Sequence, residues 1–184
     1  MSTRKLTRSA LLFALSIALA YLEHLLPPLP FLPPGVKLGL SNIITMYALF
    51  FIGPAQAVLI SLLKGGFVLI TRGAIAGCLS LMGGLFSVLV MALLAKVRIP
   101  DKSAAEAKES APLSYLFISI CGAVCHNLGQ LIGVYFLISH SFLAYVPVLL
   151  VSGVLMGSIT GVMLRLLLPA IDWADRAVSD SKKQ

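Results

Sequence analysis

The sequence predicts an all-α integral membrane protein built from six transmembrane helices, and three observations carry that prediction. Of 184 residues, 59% are hydrophobic and only 11% are charged, where a soluble domain is nearer half apolar and a quarter charged. Mean hydropathy is +0.99. The apolar residues fall into six runs, at 9–26, 38–52, 55–70, 74–97, 113–138 and 142–168, and a crossing helix needs about 20 residues. A soluble enzyme, a nucleic-acid binder and a disordered tail are therefore excluded. The net charge of +7 would suggest nucleic acid in a soluble chain. Here it reflects basic loops that orient a membrane protein.

The first run follows Arg4, Lys5 and Arg8, as the core of a signal peptide would. It is long for such a core, and the Pro-Pro-Leu-Pro that follows is a poor cleavage site. It reads as a retained first helix. The next two runs are short and separated only by Gly53 and Pro54. Gly ends one helix and Pro starts the next, so a tight hairpin fits. A single broken helix is the alternative. Loop charge decides between them. Basic residues cluster at the N-terminus, around the fourth-to-fifth connection (Lys96, Arg98, Lys102, Lys108) and near the C-terminus (Arg165, Arg176, Lys182, Lys183). Six crossings place all three regions on one side, which is the cytoplasmic side by the positive-inside rule. Both termini are then cytoplasmic, and the chain is a multi-pass protein of a bacterial cytoplasmic membrane.

Residues 98–112 are polar, small and mixed in charge, and read as a flexible cytoplasmic linker between two three-helix halves. Residues 171–184 read as a cytoplasmic tail with Trp173 at the headgroup level. The loop at 27–34 holds five of the ten prolines among Leu29, Phe31 and Leu32. Such a segment is stiff and cannot be a helix. It is either a rigid connector or a lid over a pocket.

Ionisable residues in lipid are costly and usually face a bundle interior or a cavity. Placed by helical rise, Glu23 and His24 of the first helix gather with Lys37, Asn42, Arg72, Ser80, His126, Asn127 and Gln130 toward the outer half of five helices, with Lys64 near mid-depth. If they face one another, they line an outward-opening pocket. Lys37, Lys64 and Arg72 are cationic, and Glu23 is the one nearby acid. A carboxylate or phosphate ligand would balance them. Snorkelling or pairing with Glu23 is the plainer account of Lys64. Interfacial anchoring is the plainer account of Lys37 and Arg72. Small residues repeat every four positions at Ala10, Ala14 and Ala18, and again at Gly153, Gly157 and Gly161. Both patterns suit close helix contact, inside the bundle for the glycines and inside it or with a partner protein for the alanines.

Catalytic signatures are missing from the sequence. There is no Walker motif, no HExxH and no GxSxG. A prenyl diphosphate synthase needs clustered carboxylates to hold magnesium, and the seven acids form no such cluster. The three cysteines, Cys78, Cys121 and Cys125, lie inside apolar runs and read as packing residues. No metal site and no cofactor is expected.

The motifs GVKLGLSN at 35–42, SLMGG at 80–84 and HNLGQ at 126–130 resemble those of the Gx transporter family, also called heptaprenyl diphosphate synthase component I. The resemblance covers about residues 6–168. That family is similar to the substrate-binding S components of energy-coupling factor (ECF) transporters. The resemblance implies a six-helix bundle with an outward pocket. It also implies an Ala-xxx-Ala face on the first helix that docks a transmembrane coupling protein carrying ATPases. Ala10, Ala14 and Ala18 match that face, and the proline-rich loop matches the position of the S-component lid.

The leading expectation is a substrate-binding subunit, not itself an enzyme, for uptake of a small, anionic, vitamin- or isoprenoid-like compound. Lys37, Lys64 and Arg72 would attract the anion. Asn42, Ser80, His126, Asn127 and Gln130 would supply directional hydrogen bonds. The rivals are a membrane accessory subunit partnered with a polyprenyl synthase, and a membrane component of flavin- or quinone-linked electron transfer partnered with a flavoprotein.

Overall fold

The computed structural model describes residues 3–25, 39–100, 110–112, 114–137 and 146–180. Among them are six helices, α1 (Thr3–Leu25), α2 (Leu40–Phe51), α3 (Pro54–Arg72), α4 (Ala74–Leu94), α5 (Tyr115–Leu137) and α6 (Val146–Asp180). Lys37 and the proline-rich loop at 27–34 lie outside the described residues.

Two single-glycine breaks set the connections. Gly53 sits at φ 135°, and Pro54 takes the first turn of α3, where its missing N–H costs no hydrogen bond. Gly73 sits at φ 90° and is the only residue between α3 and α4. Such positive φ values suit glycine, which has no Cβ to clash.

Four helical segments are long and apolar enough to cross a membrane: Pro54–Arg72, Ala74–Leu94, Tyr115–Leu137 and Val146–Leu167. The apolar part of α1 (Ser9–Leu25) and α2 are shorter. At 1.5 Å per residue, α2 spans about 18 Å against a hydrocarbon core of about 30 Å. The predicted six helices are all present, and length and composition mark four of them as spans.

Two boundaries differ from the sequence reading. The segment read as a flexible linker is paired at its ends, where β1 (Arg98–Pro100) and β2 (Ser110–Pro112) form a two-stranded antiparallel ladder. Proline, which has no N–H to donate, is tolerated there because both strands are edges with no second neighbour. Helix α6 continues to Asp180, well into the stretch read as a tail. No glycine follows Gly161, and Ala170, Ala174, Arg176 and Ala177 favour helix, against Pro169, which disfavours a helix interior.

Glycines set the packing. A Cβ on Gly157 would stand 2.6 Å from the Ile120 Cα, and one on Gly161 would stand 3.0 Å from the Leu116 Cα. One on Gly129 would stand 2.8 Å from the Met82 carbonyl oxygen. So α5 touches α6 on one side and α4 on the other, backbone against backbone. In lipid, such close approach supplies the association that water would otherwise drive. The apolar core (Ile43, Met46, Leu49, Ile60, Val88, Ile118, Leu164) lies between α2, α3, α4, α5 and α6. Large apolar side chains such as Leu11, Leu62, Leu89, Phe136 and Leu166 point outward, as lipid-facing residues should.

Candidate ligand-binding pocket

Antiparallel packing decides which polar residues meet. Gly83 of α4 lies beside His126 and Gln130 of α5, and a Cβ there would stand 2.8 Å from the Gln130 Cγ. Gly65 of α3 lies against Leu81 of α4. Lys64, Ser80, His126 and Gln130 therefore share one level of the bundle. Together with residues from α1, α2 and α6 they line a cavity of about 430 Å³, within the size range of small-molecule pockets.

Of the eight residues proposed from sequence to bind substrate, Asn42, Lys64, Arg72, Ser80, His126, Asn127 and Gln130 line this cavity. Lys37 lies outside the described residues.

Lys64 is 5% exposed. Its ammonium donates to the Ser41 Oγ at 3.2 Å and the Asn42 Oδ1 at 3.1 Å. Both acceptors sit in the first turn of α2. At the start of the same helix, Glu23 is 7% exposed and accepts a hydrogen bond from the Gly39 N–H. Gly39 is the N-cap of α2, at φ 78°, and no side chain of its own caps that helix. A carboxylate suits a helix N-terminus, whose free N–H groups carry partial positive charge. Arg72, at the end of α3, donates from Nη2 to the Ala20 carbonyl at 3.1 Å. Lys64 thus ties α3 to α2, Glu23 ties α1 to α2, and Arg72 ties α3 to α1.

Asn127 does a different job. Its Nδ2 donates to the Leu149 carbonyl at 2.8 Å and to the Ser152 Oγ at 3.3 Å. It pins the start of α6 to α5 while still lining the cavity. Asn127→Ala should lower stability by about 1 kcal/mol, the net worth of a typical intramolecular hydrogen bond. Thermal unfolding in detergent checks this, and an unchanged midpoint would mean that neighbours replace the bonds. The His126 Nδ1 is buried and has no hydrogen-bond partner among the described residues.

The cavity also uses residues that were not proposed from sequence to bind substrate. Ser41, Ser87, Ser119 and Thr160 line it, as do Met46, Met91 and Met156. Lone hydroxyls in apolar helices commonly bond their own backbone, so they carry little signal. The Ser119 hydroxyl instead crosses to α6 and donates to the Gly157 carbonyl at 2.8 Å. The methionines sit beyond the Lys64 level, away from Arg72, and give that end a soft apolar wall.

Among the described residues, no group of three His, Cys, Asp or Glu side chains is placed to hold a metal ion. Cys78, Cys121 and Cys125 are free thiols, each half-buried. On α1, Ala10, Ala14 and Ala18 are exposed, while Ser9, Ser16, Ala20 and Glu23 face inward. The small-residue face is therefore turned away from the bundle.

Comparison with known proteins gives one family. The family model described as heptaprenyl diphosphate synthase component I matches residues 12–167. Comparison with curated proteins and with solved structures returns no match.

Proposed function

The chain belongs to the heptaprenyl diphosphate synthase component I family, and from that premise we propose that it is a membrane substrate-binding subunit, of the ECF S-component kind. It takes up a small organic anion and does no covalent chemistry of its own. The observation that carries this reading is the cavity, which gathers Lys64 and Arg72 with Asn42, Ser80, His126 and Gln130 inside a helical bundle. Lys64 is buried and Arg72 half-buried, and cations converging on a pocket within a membrane bundle are a binding device by default. No carboxylate cluster accompanies them among the described residues, so they suit capture of an anion better than magnesium-dependent transfer.

In this reading the protein sits in a bacterial cytoplasmic membrane with both termini inside. The exposed alanine face of α1 docks a transmembrane coupling protein, whose ATPases supply the energy. A second reading, accessory subunit of a polyprenyl diphosphate synthase, is favoured by the family's description.

Native mass spectrometry of the protein, gently extracted from its own membrane, tests the proposal. The expected result is a retained organic anion together with a coupling protein and its ATPases. Ala14→Trp should remove that complex and leave the anion in place, because Ala14 is exposed on α1 and lies outside the cavity. Co-purification of a prenyl synthase instead, unaffected by Ala14→Trp, would overturn it.

A further inference from the structure

Resting on the reading above, we propose that the cavity selects an organic acid that carries a neutral amide close to its carboxylate, and that Gln130 is the residue that reads the amide. The choice of Gln130 starts from Gly83. A Cβ on Gly83 would stand 2.8 Å from the Gln130 Cγ, 2.8 Å from the His126 carbonyl oxygen and 3.1 Å from the His126 Cε1. The side chain missing from α4 is thus the space that the Gln130 stem and the His126 ring take up. Gly83 does not line the cavity, whereas Gln130 does. The stem is therefore spent on the joint between α4 and α5, and the terminal amide is what Gln130 offers a ligand.

The two side-chain amides of α5 are used differently. Asn127 spends its Nδ2 on the Leu149 carbonyl and the Ser152 hydroxyl. Gln130, three residues on, is half-buried and makes no side-chain hydrogen bond among the described residues. A cavity-lining amide with its bonding capacity open is a recognition group once a ligand excludes water. It holds one acceptor oxygen and two N–H donors. A second amide satisfies both kinds at once, its N–H donating to the Gln130 carbonyl and its own carbonyl accepting from the Gln130 N–H. Ser80, three residues before Gly83 and on the same face of α4, also lines the cavity and adds a hydroxyl to that wall.

The level of Lys64 fixes where the acid stands. A Cβ on Gly65 would stand 2.5 Å from the Leu81 Cγ, so Lys64 and Gly83 share one level of the bundle. Lys64 and Gln130 then face the cavity at that level from different walls. The acid and the amide that they bind lie side by side in the ligand, within a few bonds, rather than at its two ends. The lining that includes Met46, Met91 and Met156 takes the rest of the molecule as a short apolar body. A volume of about 430 Å³ suits a free small acid.

The test uses three monoanions of equal chain length: heptanoate, 4-oxoheptanoate and N-butanoylglycine. The second adds the carbonyl alone, and the third adds the carbonyl and the N–H. Each is titrated against the full chain in phosphatidylcholine nanodiscs. Wild type should bind N-butanoylglycine tightest and heptanoate weakest, about tenfold apart, with 4-oxoheptanoate between them. Gln130→Leu keeps the volume and removes the amide. It should abolish the ranking by weakening N-butanoylglycine to the level of heptanoate, with heptanoate itself bound as in wild type. Gln56→Leu removes an amide outside the cavity and should leave the ranking unchanged. The wild-type ranking needs no variant, so it tests the proposal even where Gln130→Leu folds poorly. Heptanoate bound by wild type as tightly as N-butanoylglycine, a ranking kept in Gln130→Leu, or a ranking lost in Gln56→Leu would overturn the amide rule and leave the anion pocket standing. Failure of wild type to bind any of the three acids would overturn the anion-pocket reading and the amide rule with it.

Discussion

Gly157→Val should lower stability by about 3 kcal/mol or more, the upper range for overpacking a tight contact. A Cβ at this position would stand 2.6 Å from the Ile120 Cα, 2.9 Å from the Ser119 carbonyl oxygen and 3.0 Å from the Ala123 Cβ. Two of these are backbone atoms in the second turn of α5, so no rotamer change relieves the clash. The helices must separate. Separation also breaks the bond from the Ser119 hydroxyl to the Gly157 carbonyl, and moves the α5 residues His126 and Gln130 away from α6. Gly66→Ala is the control, because a Cβ there meets nothing within 4 Å. It should be neutral or gain a few tenths of a kcal/mol from helix propensity. Thermal unfolding of both variants in one detergent checks the pair. Equal midpoints would mean that α5 and α6 are not held by backbone contact.

The physics of that contact explains how much of the fold was legible. Gly153, Gly157 and Gly161 were readable as a close-packing face because lipid rewards small residues between helices. Their partner was not readable, since spacing names a face and not its neighbour. The break at Gly53-Pro54 was legible because its two residues have opposite helix roles. The polar layer was legible because ionisable groups in apolar runs are rare and seldom face lipid. What could not be read were contacts made by the backbone or across long separations. Glu23 was visible as a nearby acid, but its bond to the Gly39 N–H spans 16 residues and leaves no periodic trace. Asn127 was read as a ligand contact, and its amide also ties α6 to α5, a role that composition does not distinguish. Hydropathy likewise reports where lipid ends and not where a helix ends, so the extension of α6 to Asp180 was missed. The pairing of β1 with β2 was missed because neither three-residue strand alternates in polarity.

Lys64→Met should reduce anion binding, and uptake in proteoliposomes containing the coupling partners, by roughly 10- to 100-fold. That is the range expected for a hydrogen bond to a charged group, about 1.5–3 kcal/mol. The same substitution should leave thermal stability unchanged or raised. The reason lies in the cost of the native charge. Lys64 is 5% exposed, and placing its ammonium there forfeits hydration that its contacts, among them those to Ser41 and Asn42, must offset. Replacing a buried charge with an apolar side chain of similar volume is often neutral or stabilising. A residue kept for structure would behave the other way, with stability falling and binding following it passively. Two measurements therefore decide the role of Lys64: a melting curve and a heptanoate titration on the same preparation. Lower affinity with an equal or higher midpoint places the charge in ligand capture. A lower midpoint with affinity unchanged in the folded fraction places it in the joint between α2 and α3, and removes Lys64 from the site. The expected split also says why such a residue would persist. A buried ammonium that costs stability on its own persists where a bound anion adds a favourable interaction with it.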